Sequence, residues 1–303
     1  MMKTGTKLTD ILTDVTIREG SQQEIDLRGK DPEIKLKLLE LSVASGIKKI
    51  ELTAFAPGEW FSDAEILAEK AAKKNYPAEI SAIYFNPRGL ETLLKFPALK
   101  AEGIFHTACT ENYRTKNYNQ PDIETVREKL KRMLAALKRH SLGLNKIMLS
   151  TAWGESAQKI SPDETLEFAA MLVQTARMEG FNPEGFVLAD TVGQATPQEI
   201  NGLISAFKNE WPEKIITAHL HPQAALAREC VHAAFEAGVN HWEASWCSLG
   251  GSPFADKPGG NLDIRILAEV ARECGYLSGL NPDGIRAIEK FVEQNTGRSV
   301  ESL

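Results

Sequence analysis

One stretch of the chain, residues 185–199, reads GFVLADTVGQATPQE and contains the pattern of a strand, a turn and the start of a helix. The short apolar run Gly185–Thr191 is typical of a buried β-strand. Thr196 and Pro197 then combine a helix N-cap with proline at the first helical position. The stretch therefore predicts one strand followed by one helix, the unit from which α/β folds are built.

The same unit recurs along the chain. The eight predicted strands are Leu8–Ile17, Ile47–Phe55, Glu79–Phe85, Glu102–Cys109, Lys146–Ala152, Gly185–Thr191, Lys214–Leu220 and His241–Leu249, with segments of helical spacing between them. Strand–helix alternation of this length predicts parallel strands joined by right-handed crossovers. Since no linker divides the units and no Gly-rich fingerprint follows the first strand, we favour one closed (β/α)8 TIM barrel over two domains. We expect one catalytic domain, residues 1–303, with the helix Pro282–Gln294 as a short C-terminal cap or an oligomer contact.

Composition narrows the class of protein. The chain has 303 residues and a formal net charge of −6, which argues against a nucleic-acid partner. No apolar run reaches the roughly 18 residues of a membrane span, and charged residues interrupt the segment where a signal peptide would lie. The four cysteines form no CxxC pair, so we expect free thiols in a reducing cytoplasm. We also expect a homo-oligomer, namely a dimer.

Two histidines at the end of the seventh predicted strand are the sharpest local signal. His219 and His221 are two residues apart, so on a strand both imidazoles project to the same face. Two imidazoles with a carboxylate and an amide oxygen suit a borderline divalent cation such as Mn²⁺, Co²⁺, Zn²⁺ or Fe²⁺. A hydrogen-bonded pair without a metal is the alternative. The position at a strand end favours the metal site.

Charged residues also fall in or after other predicted strands. Asp14, Arg18, Glu19 and Glu51 lie within the first two predicted strands or at their ends, where charges are costly unless they are paired or coordinated. Asp190 follows the sixth strand and either braces a loop or takes part in catalysis, and the sequence supports both roles equally. The loop after the eighth strand is rich in Gly and Pro, which indicates a mobile lid with Gly hinges.

Taken together, these segments resemble a known family. The chain is similar to the hydroxymethylglutaryl-CoA (HMG-CoA) lyases, within the metal-dependent barrel group that includes isopropylmalate, homocitrate and citramalate synthases. The resemblance extends over nearly the whole chain. The length of the chain is closer to that of the lyases than to that of the larger synthases. It rests on residues 14–22 (DVTIREGSQ), 50–55 (IELTAF), 116–119 (KNYN), 188–193 (LADTVG) with Thr196-Pro197, 218–221 (AHLH), 249–255 (LGGSPFA) and 260–262 (GNL).

The resemblance implies a site and a cofactor. Four residues would hold a divalent cation (Mg²⁺, Mn²⁺, Co²⁺ or Zn²⁺): Glu19, His219, His221 and Asn261. Arg18 would stabilise the enolate oxygen, and Glu51 would support the residues that hold the cation. The substrate would be a small carboxylate or an acyl-CoA.

The chain departs from the lyase pattern at several positions. Lyases usually have aspartate at the position of Glu19. A glutamate at this position resembles the pattern of the homocitrate synthases. Lyases usually have cysteine at the position of Ser252, and a hydroxyl is a much weaker acid than a thiol with a pKa of about 8.5. Pro222 and Ala225 replace the aspartate and glycine that usually follow the histidine pair, and Ile25 replaces a lysine that helps to hold coenzyme A.

Three hypotheses follow. The first is a metal-dependent carbon–carbon lyase acting on an HMG-CoA-like or related 3-hydroxy acid substrate, with Asp190 or a histidine as the base and Ser252 passing a proton. The second is the same chemistry in the synthetic direction, condensing an acyl-CoA with a 2-oxo acid, which Glu19 favours. The third is a metal-binding barrel that has lost catalysis, as Ser252, Pro222 and Ile25 indicate.

Overall fold

The computed structural model describes residues 5–23, 27, 32–251, 260–296 and 300. Strands and helices alternate along the chain, with short 3₁₀ turns at Leu8–Asp10, Ala224–Leu226 and Trp246–Ser248. The elements are, in chain order, β1 Leu12–Asp14, α1 Thr16–Gln23, α2 Pro32–Ala44, β2 Lys49–Phe55, α3 Ala64–Ala71, β3 Glu79–Tyr84, α4 Pro87–Leu93, β4 Lys100–Ala101, β5 Ile104–Ala108, α5 Glu111–Tyr118, α6 Ile123–Arg139, β6 Lys146–Ser150, α7 Pro162–Met178, β7 Gly185–Asp190, α8 Pro197–Glu210, β8 Ile215–Leu220, α9 Ala227–Glu236, β9 His241–Ala244, α10 Ile264–Glu273 and α11 Pro282–Thr296.

The chain divides into two compact units. The first comprises residues 1–83, 92–101 and 242–303, and its strands are ordered β4-β3-β2-β1-β9. Its pairings β1–β2, β1–β9 and β3–β4 are parallel. The second comprises residues 84–91 and 102–241, and here β5, β6, β7 and β8 are neighbours in chain order, all parallel. The prediction of a parallel α/β architecture is therefore confirmed within each unit.

The eight predicted strands are all present, and the helix starts agree with the sequence patterns. The structure adds one strand, the two-residue β4. Ser161 and Thr196 each accept a hydrogen bond from the backbone N–H three residues on, and Glu164 and Glu199 complete the two capping boxes. The last helix, α11, extends to Thr296. Gly284 at its start lies against the backbone of Ser45, since a Cβ there would be 2.5 Å from the Cα of Ser45.

The first predicted strand is too long, and this corrects the placement of two site residues. β1 ends at Asp14, so Arg18 and Glu19 lie on helix α1 and not on a strand. The reason is local. The Asp14 carboxylate accepts a hydrogen bond from the backbone N–H of Thr16 at 2.8 Å and another from the Thr16 hydroxyl. An acidic side chain that binds the first free N–H groups of a helix stabilises its start, and the chain turns into α1 at this point.

The Asp14 carboxylate also connects α1 to the rest of its unit. It accepts a hydrogen bond from the Ser42 hydroxyl on α2, and the Thr16 hydroxyl accepts one from the backbone N–H of Trp246 at 2.8 Å. Asp14 is fully buried, and burial raises the pKa of its carboxyl although the hydrogen bonds from Ser42 and Thr16 oppose this shift. One buried carboxylate thus links β1, α1, α2 and the segment after β9.

The cores of both units are apolar, as the sequence pattern predicts. β7 is buried along its whole length, and Trp211, Trp242 and Trp246 are all buried. The four cysteines are free thiols. In the part of the chain that the structure describes, no helix is both long and apolar enough to cross a bilayer.

Replacing Asp14 by alanine tests this hydrogen-bond group. Asp14→Ala leaves the buried Thr16 N–H and Ser42 hydroxyl without their acceptor, so we expect the free energy of unfolding to fall by about 3 kcal/mol. Asp10→Ala is the matched control, because Asp10 is an exposed carboxylate paired with Lys48, and its loss costs about 0.5 kcal/mol or less. Urea denaturation measures both. Equal stabilities for the two variants would contradict this role of Asp14.

Candidate active-site and metal-binding residues

In the first unit, an arginine is held between two carboxylates. Arg18 lies in the first turn of α1, and its Nη1 pairs with the carboxylate of the adjacent Glu19. Its Nε donates to Oε2 of Glu51, on β2, at 2.8 Å. All three residues are buried, with exposed fractions of 5%, 5% and 8%. These two ion pairs use Nη1 and Nε, and neither of them uses Nη2.

Asn261 and Glu19 both lie against one glycine of the same unit, where a side chain on that glycine would be. Gly250 has φ +87°, and a Cβ on it would be 2.4 Å from Cβ of Glu19 and 2.7 Å from Nδ2 of Asn261. Asn261 is buried and donates through Nδ2 to the carbonyl of Leu249 at 2.8 Å. The amide oxygen, which is the atom that binds cations, is therefore not the atom used in this contact. The sequence offers only a Gly-Gly turn signal for this close packing.

In the second unit, the two histidines point their ring nitrogens at one another. His219 is the penultimate residue of β8 and His221 follows the strand, and both are buried. Their Nε2 atoms are 2.9 Å apart. Two Nε2–H groups cannot face each other at this distance, so at least one ring presents a lone pair. The two rings lie on one face, as expected from their spacing, and they form the hydrogen-bonded pair named as the alternative to a metal site.

Each pair offers atoms of a kind that divalent cations bind. The histidine pair of the second unit has imidazole nitrogens, and Glu19 and Asn261 of the first unit have a carboxylate and an amide oxygen. Among the described residues, no group of three or more His, Cys, Asp or Glu side chains gathers into a cluster. The set of four ligands therefore stays a prediction, and what the structure adds is the arrangement of each pair within its own unit.

Asp190, at the end of β7, binds the loop that follows it. Its Oδ1 accepts the backbone N–H of Gln194 at 3.1 Å and its Oδ2 accepts that of Ala195 at 3.2 Å. These contacts are those of a loop brace, one of the two roles expected from the sequence. Burial is the main cause that raises the pKa of Asp190 to about 6, with the backbone hydrogen bonds opposing it. A pKa near neutrality also suits a proton-transfer group, so both roles remain.

The loop after β7 also contacts the histidine pair. Gly193 has φ +67°, and a Cβ on it would be 2.3 Å from the carbonyl oxygen of His221. The backbones approach too closely for any side chain at this position. This packing explains the glycine in the LADTVG segment, and no periodicity in the sequence indicates it.

Two of the positions discussed from the sequence, Ser252 and Ile25, lie outside the described residues. Pro222 and Ala225 are described: Pro222 directly follows His221, and Ala225 lies in the 3₁₀ turn Ala224–Leu226.

A group of buried threonines lies at the ends of β5, β6 and β7 and was not predicted from the sequence. It comprises Thr110, Thr151 and Thr191. Single hydroxyl residues at strand ends carry no pattern that would have singled them out.

Replacing Gly193 by alanine tests the support of the histidine pair. Because the new Cβ meets a backbone atom, His221 must move, and we expect the affinity for Mn²⁺ measured by isothermal titration calorimetry to fall at least tenfold. Gly202→Ala is the control. No atom lies within 4 Å of a Cβ at this exposed position of α8, so that variant should bind Mn²⁺ as the wild type does. Equal affinities for both variants would show that Gly193 does not support the pair.

Comparison with known proteins gives the same family for nearly the whole chain. The family model described as HMGL-like matches residues 10–292. The chain is 24% identical to the (R)-citramalyl-CoA lyase of Chloroflexus aurantiacus, over 96% of this chain and 92% of that protein. It is 26% identical to the mitochondrial hydroxymethylglutaryl-CoA lyase of Pongo abelii, over 96% of this chain and 87% of that protein.

A solved structure shows the same fold. The HMG-CoA lyase from Acinetobacter baumannii, in complex with coenzyme A and 3-methylmalate, superposes with a TM-score of 0.81 at 21% identity, covering 98% of this chain and 95% of that one. The family match, the order of the parallel strands and the residues at their ends agree with one another. This chain belongs to the HMGL-like family.

Proposed function

We propose that this protein is a divalent-metal-dependent lyase that cleaves a carbon–carbon bond in the CoA thioester of a 3-hydroxy acid. Membership of the HMGL-like family supports the class of reaction, and relatives named as HMG-CoA and citramalyl-CoA lyases support the class of substrate. The observation that carries the proposal is Arg18. A buried guanidinium held by Glu19 through Nη1 and by Glu51 through Nε is suited to stabilise the negative charge of an enolate.

We also propose the arrangement expected from the sequence. The two units together form one closed (β/α)8 barrel, a single catalytic domain with α11 as its C-terminal cap. The cation is held by Glu19, His219, His221 and Asn261. When bound, such a cation supplies Lewis-acid chemistry and lowers the pKa of a substrate hydroxyl that coordinates it.

The bond that breaks joins the hydroxyl-bearing carbon to the carbon next to the thioester carbonyl. The hydroxyl proton goes to a base on the protein, the hydroxyl oxygen becomes a carbonyl, and the electron pair of the broken bond forms the thioester enolate. Arg18 donates to the enolate oxygen through Nη2, while its ion pairs with Glu19 and Glu51 keep the guanidinium in place. The enolate then takes up a proton to give the free acyl thioester.

Two residues would move protons in this scheme. Asp190 takes the hydroxyl proton, since its pKa of about 6 leaves it ionised but sufficiently basic near neutral pH. Ser252 passes a proton through water to the enolate, more slowly than a thiol would. The homodimer and the cytoplasmic location expected from the sequence stay predictions.

A coupled assay tests the function. Purified protein with Mn²⁺ or Mg²⁺ should release a carbonyl product from 3-hydroxy-3-methylglutaryl-CoA or citramalyl-CoA, and EDTA should abolish the activity. Ser252→Cys should raise the rate, with Ser62→Cys as a control that adds a thiol at an exposed position. Release of free thiol from acetyl-CoA only when a 2-oxo acid is added would instead support the condensing reaction. No turnover by either the wild type or Ser252→Cys, with metal still bound, would support a barrel that has lost catalysis.

The pH dependence distinguishes the two roles of Asp190. If it is the base, kcat/KM falls as the pH drops below about 6, and Asp190→Asn lowers kcat at least 100-fold and removes this limb of the profile. If it is only a brace, Asp190→Asn lowers stability while the pH profile keeps its shape.

Stability gives an independent check on the pKa of Asp190. Because the folded-state pKa of about 6 is above the ordinary value of 3.8, the native state disfavours the ionised carboxylate. The favourable contribution is present below pH 4 and is lost as the pH rises through 6, so in thermal unfolding the wild type should lose stability relative to Asp190→Asn over this range. Parallel curves for the two proteins would refute the raised pKa.

A further inference from the structure

Thr151, the first residue after β6, has a backbone conformation that threonine rarely adopts. Its φ is +48°, in the left-handed region, where a β-branched side chain crowds its own backbone. The residue is completely buried. Ser141 has a similar φ of +57°, but it is not β-branched and lies exposed in the turn after α6. A strained residue persists only where its surroundings determine its conformation, and such residues concentrate at functional sites.

The surroundings of Thr151 are two other buried threonines in the same unit. The backbone N–H of Thr151 donates to the hydroxyl oxygen of Thr191 at 2.9 Å. The Thr151 hydroxyl oxygen accepts the backbone N–H of Thr110 at 3.2 Å and lies 3.0 Å from the Thr110 hydroxyl. The strained conformation therefore directs the backbone of Thr151 towards one neighbour and its side chain towards the other.

One neighbour adjoins a residue of the candidate site, and the other adjoins a segment on which the family resemblance rests. Thr191 directly follows Asp190 at the end of β7. Thr110 directly precedes α5, which carries most of the KNYN segment that the family resemblance includes. Tyr118 of that segment forms a 2.8 Å hydrogen bond with the hydroxyl of Ser150, the residue before Thr151. Through these contacts Thr151 connects the ends of three adjacent parallel strands, β5, β6 and β7.

We propose that Thr151 is a positioning residue for the lyase reaction. Its hydroxyl and its left-handed backbone hold the Asp190–Thr191 segment and the start of α5 in a fixed relation, and the strain is retained because an unstrained turn would lose one of the two connections. The proposal rests on the proposed function for its link to catalysis, whereas the connection itself can be measured without any substrate.

Three substitutions separate the hydroxyl from the strain. Thr151→Ser keeps the hydroxyl, and Thr151→Val removes it with little change in shape. Thr151→Gly removes both the hydroxyl and the strain, so it stays informative if the valine variant fails to fold. Ser141→Gly is the control, since it relieves left-handed strain at an exposed turn and should raise the Tm by about 2 °C without changing kcat.

Amide hydrogen exchange measures the connection in the full-length protein. We expect the Thr110 amide to exchange at least tenfold faster in Thr151→Val and Thr151→Gly than in the wild type or Thr151→Ser. The Cys109 amide, bound to the carbonyl of Ser150 at 2.9 Å, is the internal reference and should change less. Unchanged Thr110 exchange in the valine and glycine variants would overturn the proposal.

Kinetics measure the link to catalysis. Thr151→Val and Thr151→Gly should lower kcat at least tenfold with KM within about threefold of the wild type, and Thr151→Ser should restore most of the activity. A glycine variant that is more stable than the wild type and equally active would overturn the proposal, because the strain would then serve nothing. A wild type that releases no carbonyl product from a 3-hydroxyacyl-CoA would refute the proposed function. In that case the Thr110 exchange rates alone decide whether Thr151 holds its neighbours in place.

Discussion

The arrangement of the first unit depends on the hydrogen bonds that the Asp14 carboxylate accepts. It is completely buried, and it accepts hydrogen bonds from the start of α1 and from Ser42 on α2. Because Arg18 and Glu19 lie within the first turn and a half of α1, the cap that starts this helix also sets the direction of their side chains. Asp14, which has no part in the proposed reaction, thus determines where the side chains of Arg18 and Glu19 lie.

Close backbone approaches do the same for the other residues of the site. Gly250 allows Glu19 and Asn261 to occupy the space that a side chain there would fill, and Gly193 allows the loop after β7 to lie against the carbonyl of His221. At both positions a side chain would collide with its neighbours, and both glycines have positive φ, so two independent constraints require the same residue. The candidate ligands are therefore supported by close contacts at two glycines. No pattern in the sequence indicates these contacts.

Much of the fold could be predicted from the sequence because its signals are local. Each of the eight predicted strands contains an observed strand, and the helix predicted after Thr196 begins there with a capping box. The error in the first strand has a physical cause: Leu8–Ile17 is apolar enough for a strand, but the Asp14 carboxylate and the Thr16 hydroxyl form a helix cap inside it. The short strand β4 was missed because two residues carry no periodicity.

The residue types of the candidate site could be predicted from the sequence. The contacts that hold these residues in place could not. The spacing of His219 and His221 predicted that both rings share one face, and their Nε2 atoms are 2.9 Å apart in a hydrogen-bonded pair. The ion pair of Arg18 with Glu51 joins residues 33 positions apart, and the contacts of Thr151 with Thr110 and Thr191 join residues about 40 positions apart. Such contacts depend on strand order and register, and a single sequence contains these only indirectly.

The proposed function requires Glu19, His219, His221 and Asn261 to bind one divalent cation. Crystallography with Mn²⁺ can test this requirement, because anomalous scattering locates the metal independently of any assay. We expect a single strong anomalous peak about 2.1–2.2 Å from one carboxylate oxygen of Glu19, the Nε2 atoms of both histidines and the amide oxygen of Asn261. Crystals at saturating Mn²⁺ with no peak at these residues, or with the metal held by other side chains, would contradict it.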